Sequence, residues 1–394
     1  MVKTVAIVGG GLAGMSAAYA FNHRKYRTLI FEKNHYLGGR VQTEFIDGYT
    51  LDVGYQVLLS SYPEISLKWQ RALKLRSYES GAHVKIDDQW RLVPNPLMNP
   101  LSMFKAPKGN LKGLISLVLN RQKVQSPNET TEEYIKRLNI DSDWIDQFIK
   151  PFMRGVFLEK GLETRADRFI ELMNYFIKGH ACLPRGGMKE IPRWLENQIP
   201  NTQLYKGTKV VECNEGSVML SCGKKYTADA VIIALPLPEL KLVVDEIPEV
   251  HSCSTSCDYF CVEKKRVKAD RYLWLDGQPD AVVNNFSFPS RIQRSYAPRG
   301  MHLLSATAIT PNIPSYDEVR EYLAEQFDLK LNWLSFIKRF HVSHALPSQI
   351  NTPPMKSIRH KGVFLAGEAV SSPSINDAVA SGKAAAKAVI ESLG

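Results

Sequence analysis

The chain has 394 residues, 44% hydrophobic and 23% charged, with a formal net charge of +10. This excludes a disordered or low-complexity protein and leaves room for two domains with sizeable cores. No apolar run is long enough to span a bilayer, and the basic excess comes without a nucleic-acid-binding motif, so it points to anionic surfaces or substrates and not to nucleic acid.

In chain order, an apolar strand over Val5–Val8 leads directly into Gly9-x-Gly11-x-x-Gly14. Ala13 to Ala20 form a small-residue helix, and a second apolar strand, Thr28–Phe31, ends at Glu32, 23 residues after Gly9. Strand, glycine turn, helix, strand and acid follow in the order a dinucleotide-binding fold requires. Gly9 permits the tight turn, Gly11 lets a pyrophosphate approach the backbone, and Gly14 lets helix and strand pack closely. The N–H groups of Leu12 and Ala13 begin the helix and offer partial positive charge to phosphates. Glu32 can accept hydrogen bonds from a ribose diol and disfavours a 2′-phosphate. Lys3 followed by an apolar run could pass for a secretory leader. The three consecutive glycines interrupt that run, and a cytoplasmic or inner-face protein is expected.

Residues 61–200 change character, with proline-rich turns and helices. Thr130-x-x-Glu133 is a capping box for a helix reaching about Leu138, and Asp143–Phe152 reads as another helix. A turn at Pro184–Met188 precedes a helix over Ile191–Ile199. Residues 96–123 mix apolar side chains with Lys105, Lys108, Lys112, Arg121 and Lys123. Such a basic amphipathic stretch suits either an anionic bilayer or the outside of the second domain.

From 204 the β pattern returns, with strands at Lys209–Val211 and Ser217–Ser221 and a buried parallel-type strand at Ala228–Ala234. Cys253-x3-Cys257-x3-Cys261 matches no zinc spacing and reads as small half-buried residues in a strand. A strand is expected at Leu303–Ile309 and a helix at Tyr316–Phe327. Gly362–Glu368 is strand then turn, and Asn376–Leu393 is an Ala-rich helix. The dinucleotide fold is thus split in sequence: 1–60, 201–254 and 351–394 form a Rossmann-type α/β domain, and 61–200 with 255–350 form an inserted α+β substrate domain.

The Gly9 motif, Glu32, Gly38-Gly39-Arg40, the Val210 strand, and Gly367-Glu368 with the last helix together resemble the flavin-containing amine oxidase superfamily. Asp52–Leu59 and Pro184–Met188 lean toward its phytoene desaturase and protoporphyrinogen oxidase branch. The resemblance implies non-covalent FAD, and no cysteine follows Cys261 to form a link near the last helix. It places Glu32 and Lys33 at the adenosine end with the backbone of Val210, and Gly39 and Arg40 along the pyrophosphate. Glu368, after Gly367, would hold the ribityl or phosphate region. Gly54, Tyr55 and Gln56 would lie near the ring. The last helix, through Ile375, Asp377 and Ala378, would point its N–H groups at the flavin N1–C2=O edge, where reduced flavin carries negative charge. Asp377 stands where that family usually has glycine, which puts an ordinary redox potential in question.

Amine oxidases of this superfamily usually carry an aromatic cage residue just before the last helix; here Ser371-Ser372-Pro373-Ser374 stands there. Their active-site lysine has no match, since Lys264 and Lys265 read as a solvated charged patch. An apolar substrate, isoprenoid-, polyene- or tetrapyrrole-like, is therefore expected to be dehydrogenated by hydride transfer to flavin N5. The alternatives are an amine oxidase releasing peroxide and a non-redox isomerase using reduced flavin. No second glycine fingerprint follows residue 60, so electrons are expected to leave to oxygen, a quinone or a carrier. No acid or base is assigned; His341 and His344, in an expected strand, are the nearest candidates for carrying protons.

Overall fold

The computed structural model describes residues 2–394 apart from 87, 95–123, 139–144, 160, 248, 279–280, 310–312, 351–353 and 356. The basic amphipathic stretch at 96–123 lies outside the described residues.

Strands β1 (Lys3–Val8) and β2 (Tyr26–Phe31) pair in parallel at the heart of a six-stranded sheet. Its order is Gln203–Tyr205, β2, β1, Ala230–Ile233, Val363–Leu365 and Arg359–His360, with only the last strand antiparallel. Beginning, middle and end of the sequence thus meet in one sheet. Alternation decides which side chain covers which face. Val5, Ile7, Ile30 and Ile232 join one core, while Ala6, Val8, Phe31, Val231 and Ile233 join the other. Both faces are covered, as a parallel sheet requires.

Helix α1 (Leu12–Ala20) packs on the first face beside the final helix, Ile375–Leu393. The two backbones come very close because a glycine sits at the crossing: a Cβ on Gly382 would stand 2.1 Å from the Ala13 carbonyl oxygen. The same core takes in Tyr62, Ile65, Trp69 and Leu73, and Met188, Ile191, Leu195 and Ile199. Stretches at both ends of the 61–200 insertion therefore pack with the nucleotide-side sheet.

The second sheet has seven strands: β3 (Ser252–Glu263), β4 (Met301–Ile309) and β5 (Ser335–Pro347), with Asn285–Ser287, Leu273–Leu275, Gly81–Ile86 and Gln89–Pro94. β3 lies between β4 and β5, antiparallel to both. Both insertions contribute strands to this sheet. Beside it stands a helical layer. The Thr130 capping box forms as expected and starts the helix Thr131–Arg137. The expected helix at 143–152 is a π turn over Ile145–Ile149 followed by an α-helix over Lys150–Phe157. Pro151 has no N–H to donate and its ring crowds the carbonyl four residues back, so a wider register there avoids the clash. Helix α2 (Ala166–Lys178) completes the layer.

Candidate active site

The glycine turn has the geometry its spacing requires. Gly9 has φ +102° and a Cβ there would lie 2.5 Å from the Ala234 carbonyl oxygen; one on Gly14 would lie 2.0 Å from that of Gly9. A Cβ on Gly11 would meet nothing within 4 Å. Gly11 is the N-cap of α1 and supplies no side-chain acceptor, so the first-turn N–H groups have no side-chain cap. Leu12 and Ala13 bury their side chains in the core, which leaves their backbone as what they can offer a ligand. An open glycine face over an uncapped helix start is a cradle for a pyrophosphate, and FAD fits it.

The remaining candidates form a connected track from this turn. Glu32 is buried; Oε2 accepts from the Gly10 N–H at 2.8 Å and Oε1 from the Asn34 backbone and side-chain amides, each at 2.9 Å. Thr208 N–H donates to the Glu32 carbonyl at 2.8 Å, which brings the start of the Val210 strand alongside. Val210 itself turns its side chain into the core. Lys33 points elsewhere, pairing with Glu239 at 2.6 Å. On the other side, Gly38 N–H donates to the Gly10 carbonyl at 2.8 Å, and a Cβ on Gly39 would lie 3.3 Å from the Gly11 Cα.

Arg40 then spans the gap between the two units. It pairs with Glu368 and donates to the Ala345 carbonyl of β5 at 3.0 Å. The Glu368 side chain is only 5% exposed, and its other oxygen accepts from Leu237 N–H at 2.9 Å. The Gln56 amide donates to the carbonyls of Arg40 and Val53 at 3.0 and 2.8 Å. Gly54, with φ +83°, lies against Val342 of β5. Tyr55 is half-buried, and burial and its neighbour Tyr78 raise its hydroxyl well above the ordinary phenol range. Gly367 also has positive φ; its N–H donates to Ser381 of the final helix at 2.9 Å.

At the start of that helix, Ser374 caps the N–H of Asp377 at 2.9 Å. Ile375 and Ala378 pack against the core. The Asp377 carboxylate is not isolated: Arg168 of α2 reaches it at 3.2 Å and also pairs with Glu171. Sequence reading did not single out Arg168, because the two residues are 209 positions apart.

A cavity of about 330 Å³ opens beside this helix start. Its lining includes Arg165, Asp167, Arg168, Glu171, Leu237, Val250, Met355, Glu368, Val370 and the segment Ser371–Pro373, and no aromatic ring among the described residues. His341 and His344 are exposed on β5 and are not in that lining.

Asp52, in the sequence only the first residue of the Asp52–Leu59 motif, gains a role of its own in the structure. It is 3% exposed. Its carboxylate accepts from Thr43 at 2.5 Å, Met188 N–H at 2.7 Å and Tyr296 at 2.8 Å. Burial raises its pKa from 3.8 to about 6, with the three hydrogen bonds pulling the other way. It ties the Gly54 segment to the Pro184–Met188 turn and the inserted unit. Cys257 of the cysteine series on β3 is buried, and burial pushes its thiol up to about 12.

A parallel sheet assembled from the beginning, middle and end of the chain, an open glycine cradle and a second, seven-stranded sheet define an FAD-dependent oxidoreductase fold. The chain belongs to the family of flavin containing amine oxidoreductases, whose model matches residues 12–390. It uses FAD. Coproporphyrinogen III oxidase of Mycobacterium tuberculosis is 24% identical over 290 residues, covering 64% of this chain and 63% of that protein. The chain therefore matches less than two thirds of that relative's length. In fold it is similar to a putative protoporphyrinogen oxidase from Exiguobacterium sp. 255-15, at TM-score 0.74 and 17% identity over 99% of both chains. It is also similar to reduced UDP-galactopyranose mutase, at TM-score 0.72 and 14% identity over 99% of this chain and 96% of that one. No described helix is long and apolar enough to cross a membrane.

Proposed function

We propose that the enzyme dehydrogenates an apolar small molecule of the isoprenoid, polyene or tetrapyrrole kind, bound in the cavity beside the final helix. The observation that carries this reading is the ring-free lining. A cage for an amine needs aromatic faces to hold the cation, and Ser371, Ser372 and Pro373 stand where the cage residue would be. Leu237, Val250, Met355 and Val370 offer apolar wall for a carbon skeleton, and the carboxylates of Asp167, Glu171 and Glu368 with Arg165 and Arg168 line the rest, which suits an apolar skeleton that carries polar or charged substituents. The tetrapyrrole member of this class has support from the M. tuberculosis relative, named for a porphyrinogen.

FAD supplies a two-electron acceptor that takes hydride at N5. The chain's own part is to bind and orient. The glycine turn and α1 would take the phosphates, and the cavity wall would hold the carbon skeleton in place. Arg168 balances Asp377 at the helix start, so that the N–H dipoles there can still favour the negative charge of reduced flavin. Electrons would then leave to oxygen, a quinone or a carrier.

The test is anaerobic titration of the FAD-loaded protein, followed by flavin absorbance. A porphyrinogen or a partly saturated polyene should bleach the flavin, and putrescine or an aromatic amine should leave it oxidised. Bleaching by amines alone, with peroxide formed on admitting air, would overturn the proposal.

A further inference from the structure

The end of β3 away from the cavity carries a separate concentration of positive charge. β3 starts at Ser252, which pairs with Pro347, a cavity-lining residue. It ends at Glu263, where a turn begins. At about 3.3 Å per residue, the strand puts roughly 35 Å between its ends. Lys264, Lys265, Arg266 and Lys268 on that turn, Arg291, and His302 of β4 line an open groove of about 490 Å³.

The groove has a fixed frame. Lys264 N–H donates to the Gly300 carbonyl at 2.9 Å, and Val267 is buried in the core of the inserted unit. Glu263 is the acid at hand, and it is taken by Lys265 at 3.0 Å and Arg266 at 3.4 Å. Arg266 also lies over the Trp333 ring, 4.0 Å from its centroid. Lys264, Lys268 and Arg291 have no acidic partner among the described residues. His302 is buried at the groove floor. Its Nδ1 shares a hydrogen bond with Ser290 at 3.3 Å, and Nε2 has no partner among the described residues. Burial and then the charges of Lys264 and Arg291 push its pKa down to about 4, so the ring is neutral and both cations bear on it.

We propose that this groove is a phosphate-binding site, in which Lys264, Lys268 and Arg291 hold the anion over His302. Several cations drawn from two elements and left without acids need a multiply charged partner to offset their repulsion. A guanidinium fork with two ammonium groups suits phosphate oxygens. The phosphate comes from a soluble phosphate compound or from a lipid headgroup, since the groove is open to solvent. The site is distinct from the FAD cradle and does not rest on the substrate reading.

The experiment uses FAD-loaded protein, so that the cofactor's own phosphate cradle is filled. Inorganic phosphate is titrated calorimetrically, and sedimentation is measured with vesicles of phosphatidylcholine alone or with phosphatidic acid. The proteins are wild type, Lys264→Ala/Arg291→Ala, and Lys25→Ala/Lys225→Ala, which removes the same charge elsewhere. Flavin absorbance confirms that each is folded. Saturable binding of phosphate, weakened at least about tenfold in the first double variant only, upholds the site with a soluble source. Binding to phosphatidic acid vesicles but not to free phosphate, with the same dependence, upholds it with a lipid source. Equal weakening in both double variants, or no binding of either probe to wild type, overturns it.

Discussion

Alanine at two neighbouring glycines should separate ligand contact from fold. Gly11 has φ −72°, which alanine adopts freely, and its Cβ would enter open space. Replacing glycine at a compatible φ gains about 0.4–1 kcal/mol from the unfolded chain, and alanine at an N-cap loses a similar amount, so Gly11→Ala should change stability by less than about 1 kcal/mol. The same methyl would stand where a pyrophosphate must touch the backbone. Forcing a methyl into a packed contact costs about 1–3 kcal/mol, or about 5- to 150-fold in FAD affinity. Gly14→Ala is the contrast, because its Cβ would lie 2.0 Å from the Gly9 carbonyl oxygen, which is backbone and cannot swing away. It should lose about 3 kcal/mol or more of stability. Urea unfolding of the apoprotein and fluorescence titration with FAD measure the two effects separately. Wild-type FAD affinity in a folded Gly11→Ala protein would refute the assignment of this turn to the pyrophosphate.

Two further outcomes follow from buried charge. Asp52 is a carboxyl whose pKa rises on folding from 3.8 to about 6, so the native state binds the proton more tightly. Its contribution therefore falls as pH rises across that interval and is level above it. The ionised group costs the fold about 3 kcal/mol at neutral pH, at about 1.4 kcal/mol per pH unit. Asp52→Asn should remove this dependence. The wild type should gain about 1.4 kcal/mol relative to the variant between pH 8 and pH 5 in urea unfolding; parallel curves would contradict the buried assignment. Arg168→Gln should leave Asp377 uncompensated at the helix start and lower the midpoint potential of the bound flavin. For charges on the order of 10 Å apart in an effective dielectric of about 20, the effect is about 1–2 kcal/mol. That corresponds to about 20–45 mV for a two-electron couple. Dye-equilibrated spectra measure it, and an unchanged potential with normal FAD content would place Arg168 outside the flavin's field.

The sequence made the central sheet legible because its signals are local. Val5 and Ile7 alternate with Ala6 and Val8 onto opposite cores, and Gly14 answers to the Gly9 carbonyl within the same turn. The capping box at Thr130 is likewise contained in four residues. Roles that no local motif reveals depend on partners far along the chain. Arg168 becomes informative only beside Asp377, Asp52 only with Met188 and Tyr296 around it, and Gly382 only against the backbone of α1. A helix pattern at 143–152 also cannot reveal where a proline widens the turn before it.

This difference follows the cofactor from one end to the other. Phosphates are recognised by backbone N–H groups and a helix dipole, so one βαβ unit can specify that end by itself. The chemistry end has no such local solution. Arg168 of α2 joins the final helix through Asp377 there, and nearer the phosphates Arg40 joins Glu368 to a carbonyl of β5. Arg168 and Asp377 come from α2 and the final helix, while Arg40 and Glu368 both lie on the nucleotide side and reach β5 through the Ala345 carbonyl. Moving the inserted unit would alter the cavity wall and the charge at the helix start together. On the proposed reading of the cavity, substrate fit and flavin electrostatics are coupled through the Arg168–Asp377 pair. A substitution that re-poses α2 for a new substrate should shift the flavin potential too, and measuring both on one variant series tests that coupling directly.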